Sequence, residues 1–261
     1  ISLTAGSTYD DANGNSGGTG GEVNISGGLG GSTAGGAGVD INIVAGESAS
    51  LSSGYTGGDV NIVGGIASEG TGGHVYISTG KSSGATSGTM TIQTDDSGTS
   101  GVSGAMLMQT GDSTSGNSGT FTIQTGDAVG GTGGTISVLV GSGDCGDAGD
   151  YIVTAGTHTG VSRYTSSGGD VVVTSGSSSE TSSGDMTLQT AGAGLSGVSG
   201  KILLSTGTAT SGESGDIDLN TGDSSNGRGG DISVLVGSST SGSGGDIFLS
   251  AGSTTSGATG G

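Results

Sequence analysis

The chain has 261 residues, 65 of them Gly, with no Pro or Trp, one Cys and a formal net charge of −19. Four strong cations, Lys81, Arg163, Lys201 and Arg228, stand against 23 carboxylates, which excludes nucleic acid and anionic membranes as partners on electrostatic grounds. No apolar run approaches the roughly 18 residues of a membrane-spanning helix, so no membrane insertion is expected, and a single Cys excludes an intrachain disulfide framework.

Without a period this mixture reads as low-complexity disorder, because too little apolar surface exists to offset chain entropy. A period is present. A short phrase recurs: Gly, one residue that is often acidic, aliphatic, x, aliphatic, x, small or Thr, Gly. Its first aliphatics are Ile1, Val23, Ile41, Val60, Val75, Met90, Met106, Phe121, Ile136, Tyr151, Val171, Met186, Ile202, Ile217, Ile232 and Ile247, usually about fifteen residues apart. From Val75 onward a second period lies over the first. The six phrases from Val75 to Tyr151 reappear 96 residues later from Val171 to Ile247, including the sixteen-residue step from Met90 to Met106, copied between Met186 and Ile202. Segments 136–142 and 232–238 both read ISVLVGS. A six-phrase cassette has been duplicated, and the half-finished phrase Ala251 to Gly261 is expected to continue into a longer array.

Apolar residues at i and i+2 share one face of a strand, and self-similarity at a fixed short period is the mark of a solenoid. The expected fold is therefore all-β: a parallel β-solenoid of about sixteen coils of about fifteen residues, with a 96-residue superrepeat, as one continuous domain over 1–261. Parallel stacking at roughly 4.8 Å per coil makes it a rod. Inward pairs such as Val23 and Ile25, Val60 and Ile62, Ile136 and Val138, and Ile217 and Leu219 are expected to stack in columns. Two glycine columns frame each phrase. The residue two before the first aliphatic is Gly except at Val39, and the residue five after it is Gly except at Asp95 and Ala191. Such regularity implies either positive φ or close backbone approach.

Outward positions carry amides, Asn24, Asn42 and Asn61 and then Gln93, Gln109 and Gln124, which at that spacing are expected to form hydrogen-bonded ladders. Others are apolar: Leu107 and Leu203, Leu139 and Leu235, Ile152 and Phe248, and Val172. They serve either as contacts between chains or as seats for the chain's own return segments.

His74 and His158 lie in no nucleophile, metal or acid–base motif, and the motifs of hydrolases, kinases, dinucleotide enzymes and zinc sites are missing. No enzymatic activity is expected. The residue before the first aliphatic forms an acidic column that includes Asp216, Asp231 and Asp246, and GSGDCGDAGDY places Asp144, Asp147 and Asp150 close in sequence. Asp hydrogen-bonds its local backbone in turns, and carboxylates are what Ca²⁺ takes as ligands. Turn chemistry and Ca²⁺ bridging both remain open for these residues. Cys145 is either a small residue accepted in a turn or the seat of an intermolecular disulfide. Asn24-Ile25-Ser26 is an N-glycosylation sequon, and the Ser/Thr-rich returns are candidates for O-linked sugars.

The Gly-Gly-Asp-aliphatic-x-aliphatic phrase with Ser/Thr/Gly returns resembles the long repetitive extracellular proteins of diatoms and related algae, and β-solenoid adhesins generally. The resemblance implies a structural cell-surface or matrix fibre, extracellular or at the cell surface; the copied cassette, suited to indefinite extension, adds the expectation of self-association into filaments, with glycans as the other candidate partner. An adhesin stalk, or a carbohydrate- or mineral-binding surface protein, is the alternative. An ice-binding protein is a third reading, opposed by the irregular outward pairs Thr91 and Gln93, Leu107 and Gln109, and Ser137 and Leu139.

Overall fold

A computed structural model describes residues 2–7, 19–31, 35–49, 54–160 and 166–254. Ile1, Arg163 and the part of the unfinished phrase beyond Thr254 lie outside the described residues. The chain divides into two units, Ile1–Ile136 and Ser137–Gly261. The division falls inside the phrase ISVLV at 136–140, so no change of composition marks it.

Among the described residues there is no helix and no strand, and the expected parallel β-solenoid is not the fold. A solenoid pairs the backbone of each coil with its neighbours in continuous ladders. Here backbone hydrogen bonds close single loops instead. The N–H groups of Gly21, Gly58, Gly73, Gly88, Gly169 and Gly184 donate to the carbonyls of Gly6, Gly46, Gly65, Gly80, Gly156 and Gly176 at 2.8–3.1 Å, and Val39 donates to Gly28 at 3.4 Å. Each of these bonds joins the end of one phrase to the residue two before the next.

The reason no stack forms is visible in the apolar side chains. No described residue is buried, and the expected inward columns are open: Val23, Val60, Ile136 and Ile217 are 47–53% exposed, and Ile25, Ile62, Val138 and Leu219 are 65–75% exposed. The accessible surface is 25342 Å², against roughly 9,900 Å² for a compact monomer of this mass. Two or three aliphatics per fifteen residues, with no shared core to enter, leave the ordering entropy of a Gly-rich backbone unopposed. Nor do the amide ladders form: among the described residues no hydrogen bond joins Asn24, Asn42 and Asn61, or Gln93, Gln109 and Gln124.

The period survives as a period of bends. Sharp bends fall at 68–70, 83–85, 99–101, 114–116, 129–131 and 144–146, and again at 179–181, 195–197, 210–212, 225–227 and 240–242. Every one ends five residues before the next first aliphatic. Several glycines in these returns have φ in the left-handed region, and they recur at the 96-residue spacing: Gly101 and Gly197 (127° and 131°), Gly116 and Gly212 (114° and 111°), Gly146 and Gly242 (101° and 124°). L-residues with a side chain reach that region at a cost.

The two framing columns do not have positive φ, and close approach explains one of them. The glycine two before each phrase lies against the fifth residue of the preceding phrase. A methyl group there would sit 2.9 Å from Val140 Cγ1 at Gly149, 3.0 Å from Val236 Cγ1 at Gly245, and 3.2 Å from Thr125 Cβ at Gly134. At Val39, the exception, the fifth residue of the preceding phrase is Gly27, where a methyl group would meet Val39 O at 2.6 Å. Across all fifteen junctions at least one member of this pair is Gly, and the member carrying a side chain changes sides at Gly27 and Val39. The other column is sterically open at most positions, including Gly46, Gly80, Gly111 and Gly126. That openness accounts for the tolerance of Asp95 and Ala191 there.

This reciprocity makes a testable statement. Gly149→Val is expected to open the 140–149 loop, seen as loss of nuclear Overhauser contacts between the two positions. Adding Val140→Gly, which reproduces the Gly27 and Val39 arrangement, is expected to restore them.

Candidate functional site

The described chemistry is distributed along the returns. In the first cassette the amide of Ala85 donates to Ser82 Oγ at 2.9 Å, and 96 residues later that of Thr181 donates to Ser178 Oγ at 2.9 Å. Thr125 Oγ1 donates to Gly134 O at 3.3 Å and Thr221 Oγ1 to Gly230 O at 3.3 Å. Short polar side chains compete for local backbone groups wherever no ladder claims them, so each cassette copy rebuilds the same turns.

Asp144 and Cys145 occupy the bend that closes on Gly146, while Asp147 and Asp150 follow it; all four carboxylate and thiol side chains are exposed. Among the described residues no three His, Cys, Asp or Glu side chains gather into a metal-holding group, so Asp144, Asp147 and Asp150 are not drawn together, nor are Asp216, Asp231 and Asp246. Asp231 instead accepts from Arg228 at 2.6 Å. Both side chains are open to water, and a pair of that kind contributes little, about 0–1 kcal/mol. His74 lies beside Tyr76, with ring centroids 5.6 Å apart. The sequon residues Asn24, Ile25 and Ser26 are exposed. The outward apolar residues Leu107, Leu203, Leu139, Leu235, Ile152, Phe248 and Val172 are 72–89% exposed, so no return segment covers them. No pocket is present among the described residues, and no helix is long and apolar enough to cross a membrane.

The acidic column differs between the two copies of the cassette. In the first cassette the residues before the first aliphatic are His74, Thr89, Ala105, Thr120, Thr135 and Asp150; their counterparts 96 residues on are Asp170, Asp185, Lys201, Asp216, Asp231 and Asp246. The Ser82 and Thr125 turns recur at Ser178 and Thr221, while five of the six positions in this column are uncharged in the first copy and charged in the second.

Comparison with protein-family models, with curated proteins and with solved structures finds no match to this chain.

Two measurements address the sequence-derived sites. If Ca²⁺ bridges the carboxylates, calorimetric titration gives a saturable heat at millimolar ion that is lost in Asp144→Asn/Asp147→Asn/Asp150→Asn. If they serve turns, the heat stays non-saturable and Asn, also a turn former, changes nothing. Secretion through a glycosylating host is expected to add a mass of one N-glycan that peptide N-glycosidase removes and that Asn24→Gln abolishes.

Proposed function

We propose that this chain is a structural, self-associating segment of an extracellular filament or matrix fibre, acting mechanically and without turnover. The observation that carries the reading is the conjunction of a duplicated cassette with aliphatic phrases that remain exposed at every repeat. Fifteen first aliphatics lie in the described residues and each is roughly half exposed. A chain that repeats an apolar phrase without burying it offers the same contact many times over, and contiguous exposed apolar surface marks sites of association. Glycans on Asn24 or on the Ser/Thr-rich returns fit an extracellular location.

Such a protein associates with rising concentration. Electron microscopy and light scattering of the purified chain are expected to show fibres above a threshold concentration and fewer of them at low ionic strength, where a net charge of −19 is least screened. Labelling of unpermeabilised cells of the source with an antibody to the chain is expected to decorate the surface or matrix. A monodisperse monomer at every concentration and salt level, or label confined to the cell interior, would overturn the proposal.

A further inference from the structure

We infer that self-association runs through residues 74–136, in the first cassette, and that the occupant of this surface is the same segment of other molecules of this chain. The inference rests on the self-association proposed above and names the part of the chain that makes the contact.

Equal lengths of the two cassettes, residues 74–136 and 170–232, lie within one unit each. By apolar surface alone they are equivalent. Each holds thirteen exposed large apolar residues, 46–104% exposed in the first and 49–111% in the second. A whole side chain of this kind carries roughly 60–120 Å² of apolar surface, the area implied by its transfer free energy. On that scale residues 74–136 offer about 500–1,000 Å², of the order of the 800 Å² that each partner brings to a standard interface.

Charge separates them. Over these equal lengths the residues before the first aliphatic are His74, Thr89, Ala105, Thr120 and Thr135, all uncharged, against Asp170, Asp185, Lys201, Asp216 and Asp231, all charged. The carboxylates of the first segment, Asp95, Asp96, Asp112 and Asp127, lie in its returns, whereas in the second Asp218 adds a charge inside a phrase, between Ile217 and Leu219. Among the described residues only Asp231 has an ion-pair partner, Arg228. Each charge adjoins its aliphatic along the chain. A partner that covers a phrase of residues 170–232 must therefore desolvate a charged group one residue away, in whatever direction that partner runs, and an unpaired charge is costly to bury. Interface centres are depleted of charged residues and their rims are polar. Residues 74–136 have that arrangement, uncharged beside the aliphatics and acidic in the returns, and residues 170–232 reverse it. Charges that flank an apolar segment are also the usual protection against its association. A contact between the 74–136 segments of two molecules is the one that desolvates no charge directly before a first aliphatic, and this selects the occupant.

Two pairs of full-chain variants test the assignment through the concentration at which light scattering first rises. Met90→Ser/Met106→Ser/Phe121→Ser removes first aliphatics from the first segment and is expected to raise that concentration at least about tenfold. The counterpart 96 residues on, Met186→Ser/Ile202→Ser/Ile217→Ser, is expected to change it less than about twofold, because those side chains stay in water in either state. Thr89→Asp/Ala105→Asp/Thr120→Asp/Thr135→Asp leaves every large apolar residue in place, charges the flanks of the first segment, and is expected to raise the concentration at least about tenfold. Four aspartates in the returns of the same segment, at Ala85, Thr99, Ser115 and Ala128, add the same net charge and are expected to raise it less than about threefold. A second serine variant with an effect equal to or larger than the first, or equal effects of the two aspartate variants, would overturn the assignment and leave self-association standing. A native chain that never associates would overturn both.

Discussion

The constraint on which the local structure depends is the contact between the fifth residue of each phrase and the residue two before the next. The backbones there come so close that Val140 and Gly149, or Gly27 and Val39, leave space for one side chain and not for two. This contact narrows each loop at its neck, where the Gly46 carbonyl accepts the Gly58 amide and the Gly156 carbonyl accepts that of Gly169. A steric requirement shared between two positions explains why the glycine column has its exception at Val39 and why that exception is compensated at Gly27. A requirement for unusual φ belongs to different glycines, such as Gly101 and Gly146 within the returns.

Duplication of the cassette shows which features the chain depends on. The Ser82 turn is matched at Ser178, the Thr125 hydroxyl bond at Thr221, and the narrow Val140 neck at Val236. These are short-range interactions between residues at most ten apart in sequence, and they need no partner from elsewhere in the chain. A copied sequence therefore yields a copied geometry within each unit. The residue before the first aliphatic differs in charge between the copies at five of six positions.

Local closure without burial leaves the chain's apolar phrases available. A loop neck held by one hydrogen bond contributes only about 0.5–1.5 kcal/mol net, and nothing in it shelters the aliphatics from water. On the proposed reading their shelter is another copy.

The period, the cassette boundary and the position of every return were legible in the sequence, because Gly, Ser and Thr spacing acts through neighbours a few residues away. The close approach behind the Gly149 column was legible as one of two explanations. The sequence also showed aliphatics at i and i+2, and that pattern led to a solenoid which the described residues do not form. Whether Val60 and Ile62 are buried depends on a second layer of apolar atoms reaching them from other phrases, a cooperative and long-range matter on which a local alternation is silent. Among the described residues only the tertiary structure decided that no such layer is present and that the backbone bonds close loops and build no ladder. Fifteen residues with two or three aliphatics determine where a chain turns; only the sum of contacts across phrases determines whether the turns stack.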